Sequence, residues 1–249
     1  MEVVQTGDRY LYKASLFSHL EKIESESWTD KTVYITPSSL TEDSATAVLA
    51  GPAFVPLIRY LGKSENGYVI FRREAYFEVI EPPFLIPMDA IMEGQDTFLL
   101  EDIFLEPHTS AVLLLRLGRY AIAVLRGEDL IATKTEGRYV KNRHKAGGSS
   151  QRRFERSRER LIRELYDKTC SVAQNLLEPH KTEITKIFLG GDKHILNGFR
   201  KRCKSIQIME DKISSRLLAV DSPNHETLLT IHREIFKSRV RTFALTALK

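Results

Sequence analysis

Apolar residues along the 249-residue chain follow one rhythm up to about residue 107 and another after it. In the first part, Leu16, Phe17, Leu20 and Ile23 sit at helical spacing within Ala14–Glu26, and Thr32–Thr36 follows as a short apolar strand. Pro37 and a Ser/Thr/Glu cluster then introduce a second short helix that ends at Leu49. Leu57–Leu61 and Tyr68–Arg72 flank Asn66-Gly67, a dipeptide suited to tight hairpin turns, so both runs are predicted to be strands. Glu81-Pro82-Pro83 and Pro87 break the pattern, and the acidic, less regular Asp89–Pro107 reads as a connector. Residues 1–107 are therefore expected to form a small α+β module plus connector.

Past that point Ala111–Leu117, Tyr120–Arg126, Leu130–Lys134 and Arg138–Arg143 form four short strand-like runs. Gly118-Arg119, Gly127-Glu128-Asp129 and Glu136-Gly137 stand at the expected turns of an antiparallel meander. A long helix is predicted from Gln151 to Leu177, with Phe154, Leu161, Leu165, Val172 and Leu176 on one face, ended by Glu178-Pro179. After it, Ile184–Leu189 reads as a strand, Asp192–Cys203 as a helix, Ser205–Met209 as an edge segment and Arg216–Val220 as a strand or helix start. Pro223 opens a closing helix striped by Leu228, Leu229, Ile231, Ile235 and Phe236. The fold class that follows is α/β: a mixed sheet built from a meander, a long basic helix and strand–helix repeats, assigned to residues 108–249.

A hydrophobic fraction of 42% supports folded cores and excludes a disordered chain. No apolar run reaches membrane-spanning length, because Arg116 and Arg119 interrupt the best candidate, Ala111–Leu125. The opening MEVVQTGDRYLYK lacks the layout of a secretory signal. Cys170 and Cys203 share no CxxC or metal-type spacing, so they read as reduced thiols of a cytoplasmic protein. No histidine spacing suggests a metal site, and no Ser/His/Asp arrangement is assignable.

Charge changes the picture most. From Lys134 to Arg163 there are eleven Lys/Arg against three Asp/Glu, a balance of +8 within a chain of net +4, so the remaining residues carry a net −4. Basicity concentrated in this way is the footprint of a polyanion partner, most simply nucleic acid, although a basic helix can also be a solvated face. Lys141, Arg143, Lys145, Arg152, Arg153, Arg156, Arg158 and Arg160 are the candidate RNA contacts. Gly147-Gly148 interrupts the run, where paired glycines permit positive φ and close approach by another molecule. Ser149 or Ser150 can cap the helix behind them. Leu61-Gly62-Lys63-Ser64 lacks the first P-loop glycine, and Gly190-Gly191 reads as a plain βα turn before it reads as a phosphate site.

The stretch Lys145-Ala146-Gly147-Gly148-Ser149-Ser150-Gln151-Arg152-Arg153-Phe154-Glu155-Arg156-Ser157-Arg158 resembles the central-domain motif of archaeal and eukaryotic class-1 peptide chain release factors. That motif runs Gly-Gly-Gln-Ser, two variable residues, then Arg-Phe-x-Arg-x-Arg, and Gly147, Gly148, Ser150, Arg153, Phe154, Arg156 and Arg158 match it in register. The resemblance covers roughly residues 110–240, and it extends to Vms1-type tRNA hydrolases of ribosome quality control, whose loop is Gly-Ser-Gln. It implies a loop that enters the peptidyl-transferase centre of the large ribosomal subunit, where a glutamine positions water against the ester of peptidyl-tRNA, with no metal or cofactor. Here Ser149 occupies the glutamine position and Gln151 lies two residues later, so Gly147, Gly148, Ser149 and Gln151 are the catalytic candidates. Gln151 serves if the loop runs on before the helix begins; otherwise Ser149 must hold the water, or activity is absent.

Residues 1–107 show nothing like a stop-codon-reading domain, Asn-Ile-Lys-Ser is absent, and no third domain is expected after residue 249. The reading is a codon-independent peptidyl-tRNA hydrolase on stalled or split ribosomes; the alternative is a non-catalytic ribosome- or tRNA-binding rescue factor with a degenerate loop. The partner of residues 1–107 is not indicated.

Overall fold

The computed structural model describes residues 2–26, 29–41, 45–137 and 149–246, and on the helix opening at Ser149 it describes the side chains of Arg153 and of Glu155 onward. Two compact units emerge: Met1–Glu106 with Ile235–Lys249, and Pro107–Glu234. In chain order the first unit opens with β1 (Glu2–Leu11), α1 (Lys13–Glu26), β2 (Lys31–Ile35), α2 (Ala45–Ala50), α3 (Phe54–Leu61), β3 (Tyr68–Arg73), β4 (Tyr76–Glu81), β5 (Ala90–Glu93) and α4 (Phe98–Leu105). The second comprises β6 (Thr109–Arg116), β7 (Arg119–Arg126), β8 (Asp129–Gly137), α5 (Ser149–Leu177), β9 (Lys186–Gly191), α6 (Lys193–Arg202), α7 (Lys204–Gln207), β10 (Ile213–Leu218) and α8 (His225–Ile235). The closing strand β11 (Ser238–Thr246) lies with the first unit, whereas the sequence alone places these residues in the second.

The first unit is a six-stranded antiparallel sheet, ordered β1-β11-β4-β3-β2-β5. Several predictions from short windows fail here for physical reasons. Leu57–Leu61 is helical, not a strand: Phe54, Leu57, Ile58 and Leu61 are buried at the i, i+3, i+4, i+7 spacing of a helix face, and Pro56 sits in the first turn, where proline is tolerated. The β3–β4 hairpin turns at Glu74-Ala75 instead of Asn66-Gly67. Gly67 has φ 88° for another reason, since a Cβ there would fall 2.2 Å from the Ile35 carbonyl oxygen. The supposed connector holds β5 and α4. Neither β1 nor β11 stands out by its apolar pattern, because each is defined by pairing with the other end of the chain.

The second unit is the mixed α/β sheet the sequence anticipates, ordered β10-β9-β6-β7-β8, with β6, β9 and β10 parallel and β6, β7 and β8 antiparallel. Among the described residues the meander has three strands: β8 continues through Glu136 and Gly137, which pair with Tyr120 and Arg119, so no turn occurs there. The fourth run, Arg138–Arg143, lies outside the described residues. Ser205–Met209 is not an edge strand but continues α7 into a short turn. Leu113, Leu115, Ile122 and Val124 of the sheet bury against Leu165, Tyr166 and Ala173 of α5 and Ile195, Leu196 and Phe199 of α6.

Cys170 and Cys203, read from sequence as separate thiols, form a disulfide with Cα atoms 5.3 Å apart. Their separation of 33 residues gave no spacing signal, but α5 and α6 run side by side and bring them together. Closing a loop of that length is worth about 3–4 kcal/mol of stability through the unfolded chain. Thermal melts of the oxidised protein with and without reductant should therefore show a clear loss of stability on reduction, reproduced by Cys203→Ser without reductant.

Candidate nucleic-acid interface

With 29 residues, α5 is about 43 Å long at 1.5 Å per residue. Its two halves are used differently. From Leu165 onward it is anchored, with Leu165, Tyr166, Thr169, Ala173 and Leu177 buried against the sheet and α6. The predicted stripe is thus rotated: Val172 and Leu176 are only partly buried, Leu161 is half-buried, and the side chain of Phe154 lies outside the description. From Arg153 to Leu161, among the described side chains, none is buried. The described side chains of this segment project charge and no core.

Arg153, Arg156 and Arg160 are exposed. Arg160 lies 3.6 Å from Glu164 one turn on, a pair in which both side chains remain open to water and contribute little. Among the described residues, Arg153 and Arg156 have no acidic partner. Arg158 is half-buried, its Nε shielded from solvent without a hydrogen-bond partner among the described residues. It acts on Tyr166, whose hydroxyl is pushed up by burial and by Asp192 and pulled back by Arg158. No acidic residue occupies the first turn of α5, so the partial positive charge of the helix N-terminus adds to the arginines.

Sequence reasoning anticipated α6 as a helix and passed over its cations. Asp167 of α5 is held bidentately by Arg202 at 2.5 and 2.8 Å, and the guanidinium keeps its carboxyl below the usual carboxylate range. Arg200 is likewise engaged, by Glu210. Lys193, Lys201 and Lys204 remain exposed, with no ion pair among the described residues, and widen the basic surface beside α5. Their signal was present in the sequence as Arg200-Lys201-Arg202-Cys203-Lys204, four cations in five residues, and was overshadowed by the longer basic run before it.

Of the catalytic candidates, Ser149 is the first residue of α5 and Gln151 stands in its first turn, their side chains being outside the description. The extra loop length that would bring Gln151 forward is therefore not there, because the helix has already begun at Ser149. Gly147, Gly148, Lys141, Arg143 and Lys145 lie outside the described residues, as do the side chain of Arg152 and the whole of His144. Among the described residues no three His, Cys, Asp or Glu side chains gather as a metal site requires, and no helix is long and apolar enough to cross a membrane.

The model of the Actinobacteria/chloroflexi VLRF1 release factor family matches residues 108–241, more than half of the chain. The chain belongs to that family. The match begins at β6, contains all of α5 and ends within β11. The chain is also 28% identical over 163 residues to peptide chain release factor subunit 1 of Archaeoglobus fulgidus, covering 61% of this chain and 40% of that protein. It thus spans less than half the length of this relative. Among solved structures, the archaeal translation termination factor aRF1 is 18% identical with a TM-score of 0.39, covering 90% of this chain and 70% of that one. The Vms1 mitochondrial localization core is 14% identical with a TM-score of 0.40, covering 73% of this chain and 76% of that one. The chain carries a release-factor-type domain, as its Arg-Phe-x-Arg-x-Arg motif implied.

Gly190-Gly191, weighed as a phosphate site, is accounted for by packing. A Cβ on Gly191, at φ 114°, would fall 2.3 Å from the Leu115 carbonyl oxygen, and one on Gly190 would meet Leu114 and the Leu218 backbone. The pair lets β9 lie tightly between its neighbours and hands the chain to Asp192, whose carboxylate caps α6 by accepting from His194 and Ile195 amides. Gly191→Ala combines left-handed strain with a backbone clash and should cost about 2–4 kcal/mol, measurable by denaturant unfolding. An unchanged midpoint would contradict this packing role.

Proposed function

We propose that this protein is a codon-independent peptidyl-tRNA hydrolase of the release-factor type, acting on stalled or split ribosomes in the cytoplasm. The observation that carries the reading is the division of α5. Its C-terminal half is anchored in the core, while none of the described side chains from Arg153 to Leu161 is buried, and this arginine-bearing stretch follows Gly147-Gly148 closely in sequence. A rigid stem whose Arg153 and Arg156 have no acidic partner among the described residues suits contact with ribosomal RNA and the acceptor end of tRNA, and would deliver the glycine pair to the peptidyl-transferase centre.

In that setting the chemistry is attack of water on the ester carbonyl joining peptide to tRNA, with the tRNA 3′-hydroxyl leaving. The loop contributes positioning and backbone dipoles aimed at the oxyanion, which together are the main resources of a site without a strong protein nucleophile. With α5 starting at Ser149, water is oriented by the Ser149 hydroxyl, which is both donor and acceptor, or by the Gln151 amide reaching out of the first helical turn. Ser149 in the family's glutamine position also favours a second reading, a rescue factor that binds the ribosome without hydrolysis.

Release of labelled peptide from purified peptidyl-tRNA–ribosome complexes separates the two. The hydrolase reading expects release by the wild-type chain, and a loss of about 100-fold or more when Gly147 and Gly148 are both replaced by alanine, with ribosome binding retained. Whichever of Gln151→Ala and Ser149→Ala loses turnover and keeps binding identifies the residue that holds the water. No release by the wild type from any such complex transfers the conclusion to the binding factor.

Binding itself has a separate signature. With about 4–6 phosphates contacted, log affinity against log salt should slope between roughly −3 and −5. Charge reversal of Arg153, Arg156 and Arg160 to Glu should flatten that slope and leave the thermal melt unchanged, because these side chains carry no core contact. Salt-independent binding would remove α5 as the RNA-facing element.

A further inference from the structure

The first unit contains a cleft of about 610 Å³ between one stripe of α1 and the β3–β4 hairpin, far from the residues of the release-factor motif in sequence. Glu78 of β4 lines it and is 4% exposed, its carboxylate Oε1 2.5 Å from Nε2 of His19 on α1. Burying a carboxylate against a sheet is costly unless its oxygens are satisfied, and among the described residues His19 is the one polar partner Glu78 has. A carboxylate offers about four acceptor positions, so most of its capacity is uncommitted. The imidazole, with 20% of its side chain exposed, fixes the orientation of the carboxylate at the edge of the cleft.

The rest of the lining limits what can complete this site. Tyr76 is 39% exposed and offers a flat aromatic face. Lys22 lies 3.6 Å from Glu26, and Arg73 and Glu74 also line the cleft, so the two cations are matched in number by two carboxylates and Glu78 is left as the acceptor in excess. A ligand that fits is neutral and planar, presents adjacent N–H donors to the carboxylate and an acceptor to a cation beside it.

We propose that this cleft binds a guanine base through Glu78. Guanine alone among the common bases sets two parallel donors, N1–H and the N2 amino group, next to the O6 acceptor. The donors meet the Glu78 carboxylate, O6 meets the Arg73 cation, and the ring stacks on Tyr76, the arrangement by which unpaired bases are held on their Watson–Crick edges. Adenine and cytosine place a ring nitrogen lone pair where the second donor should be, against the negative carboxylate. Uracil has one N–H flanked by two carbonyls. The base can come from a free nucleotide or from an unpaired guanosine in RNA, and the site does not depend on hydrolysis by the second unit.

Calorimetric titration of the full chain tests this with GMP, AMP, CMP and UMP, and with single-stranded tetranucleotides that contain or lack guanosine. Guanine-bearing ligands should bind at least about tenfold more tightly than the others, the strength expected of one stacked, paired base. Binding of GMP marks a nucleotide site, and preference confined to the tetranucleotide marks an RNA site. Glu78→Gln should abolish the preference, because an amide turns a donor toward one of the guanine N–H groups. If that buried substitution prevents folding, Tyr76→Ala and Arg73→Ala, both at exposed positions, should each weaken guanine binding by about tenfold with an unchanged melt. Equal binding of all four bases, no binding of either guanine form, or guanine binding untouched by these variants would overturn the proposal.

Discussion

The burial of the C-terminal half of α5 on the second sheet is the contact on which the functional architecture depends. Leu165, Tyr166, Ala173 and Leu177 fill the space between Leu113, Leu115, Ile122 and Val124 on one side and Phe199 on the other. The Cys170–Cys203 bond and the bidentate Asp167–Arg202 pair tie the same stretch to α6 and the residue after it. A helix held over its last four turns can carry its first turns without a core of their own. Those turns are then free to hold charge that a buried face would not tolerate, since guanidinium groups keep their hydration only where packing is absent. Anchoring and exposure are two consequences of one division of labour along a single helix.

Much of this was legible in the residues. Meander turns at Gly118-Arg119 and Gly127-Glu128-Asp129 were readable because turn chemistry is local, and the basic run because eleven cations in thirty residues stand out in a chain of net +4. What escaped depends on distance in sequence or on short windows. Leu57–Leu61 is too brief to separate a two-residue from a 3.6-residue period, and the deciding Phe54 lies just before it. β11 pairs with β1 across the length of the chain, and no local pattern encodes such a partner. The disulfide required knowing that α5 and α6 lie side by side. Glu136-Gly137 looked like a turn because glycine usually marks one, yet Gly137 is opposite Arg119 in a continuous ladder.

At the site, the motif was visible as sequence and its mechanical setting was not. The match of Gly147, Gly148, Ser150, Arg153, Phe154, Arg156 and Arg158 gave the family, which the family model bears out over residues 108–241. The structure adds that α5 starts at Ser149, so the serine that replaces the family's glutamine stands where the loop meets the helix. It also adds the lysines of α6, which extend the cationic surface beyond the run that first drew attention. On the proposed function, phosphate contacts from these cations would fix position and orientation and carry no sequence information, as a codon-independent factor requires.

The central claim is that the free half of α5 faces RNA. A photoreactive phenylalanine analogue placed singly at Arg153, Arg156 and Arg160, and at the exposed Leu229 of α8 as control, reports this directly on ribosome complexes. The account predicts crosslinks from the three α5 positions to large-subunit RNA or the tRNA acceptor stem, lost at high salt, and none from position 229. Crosslinks from 229 with none from α5 would contradict it.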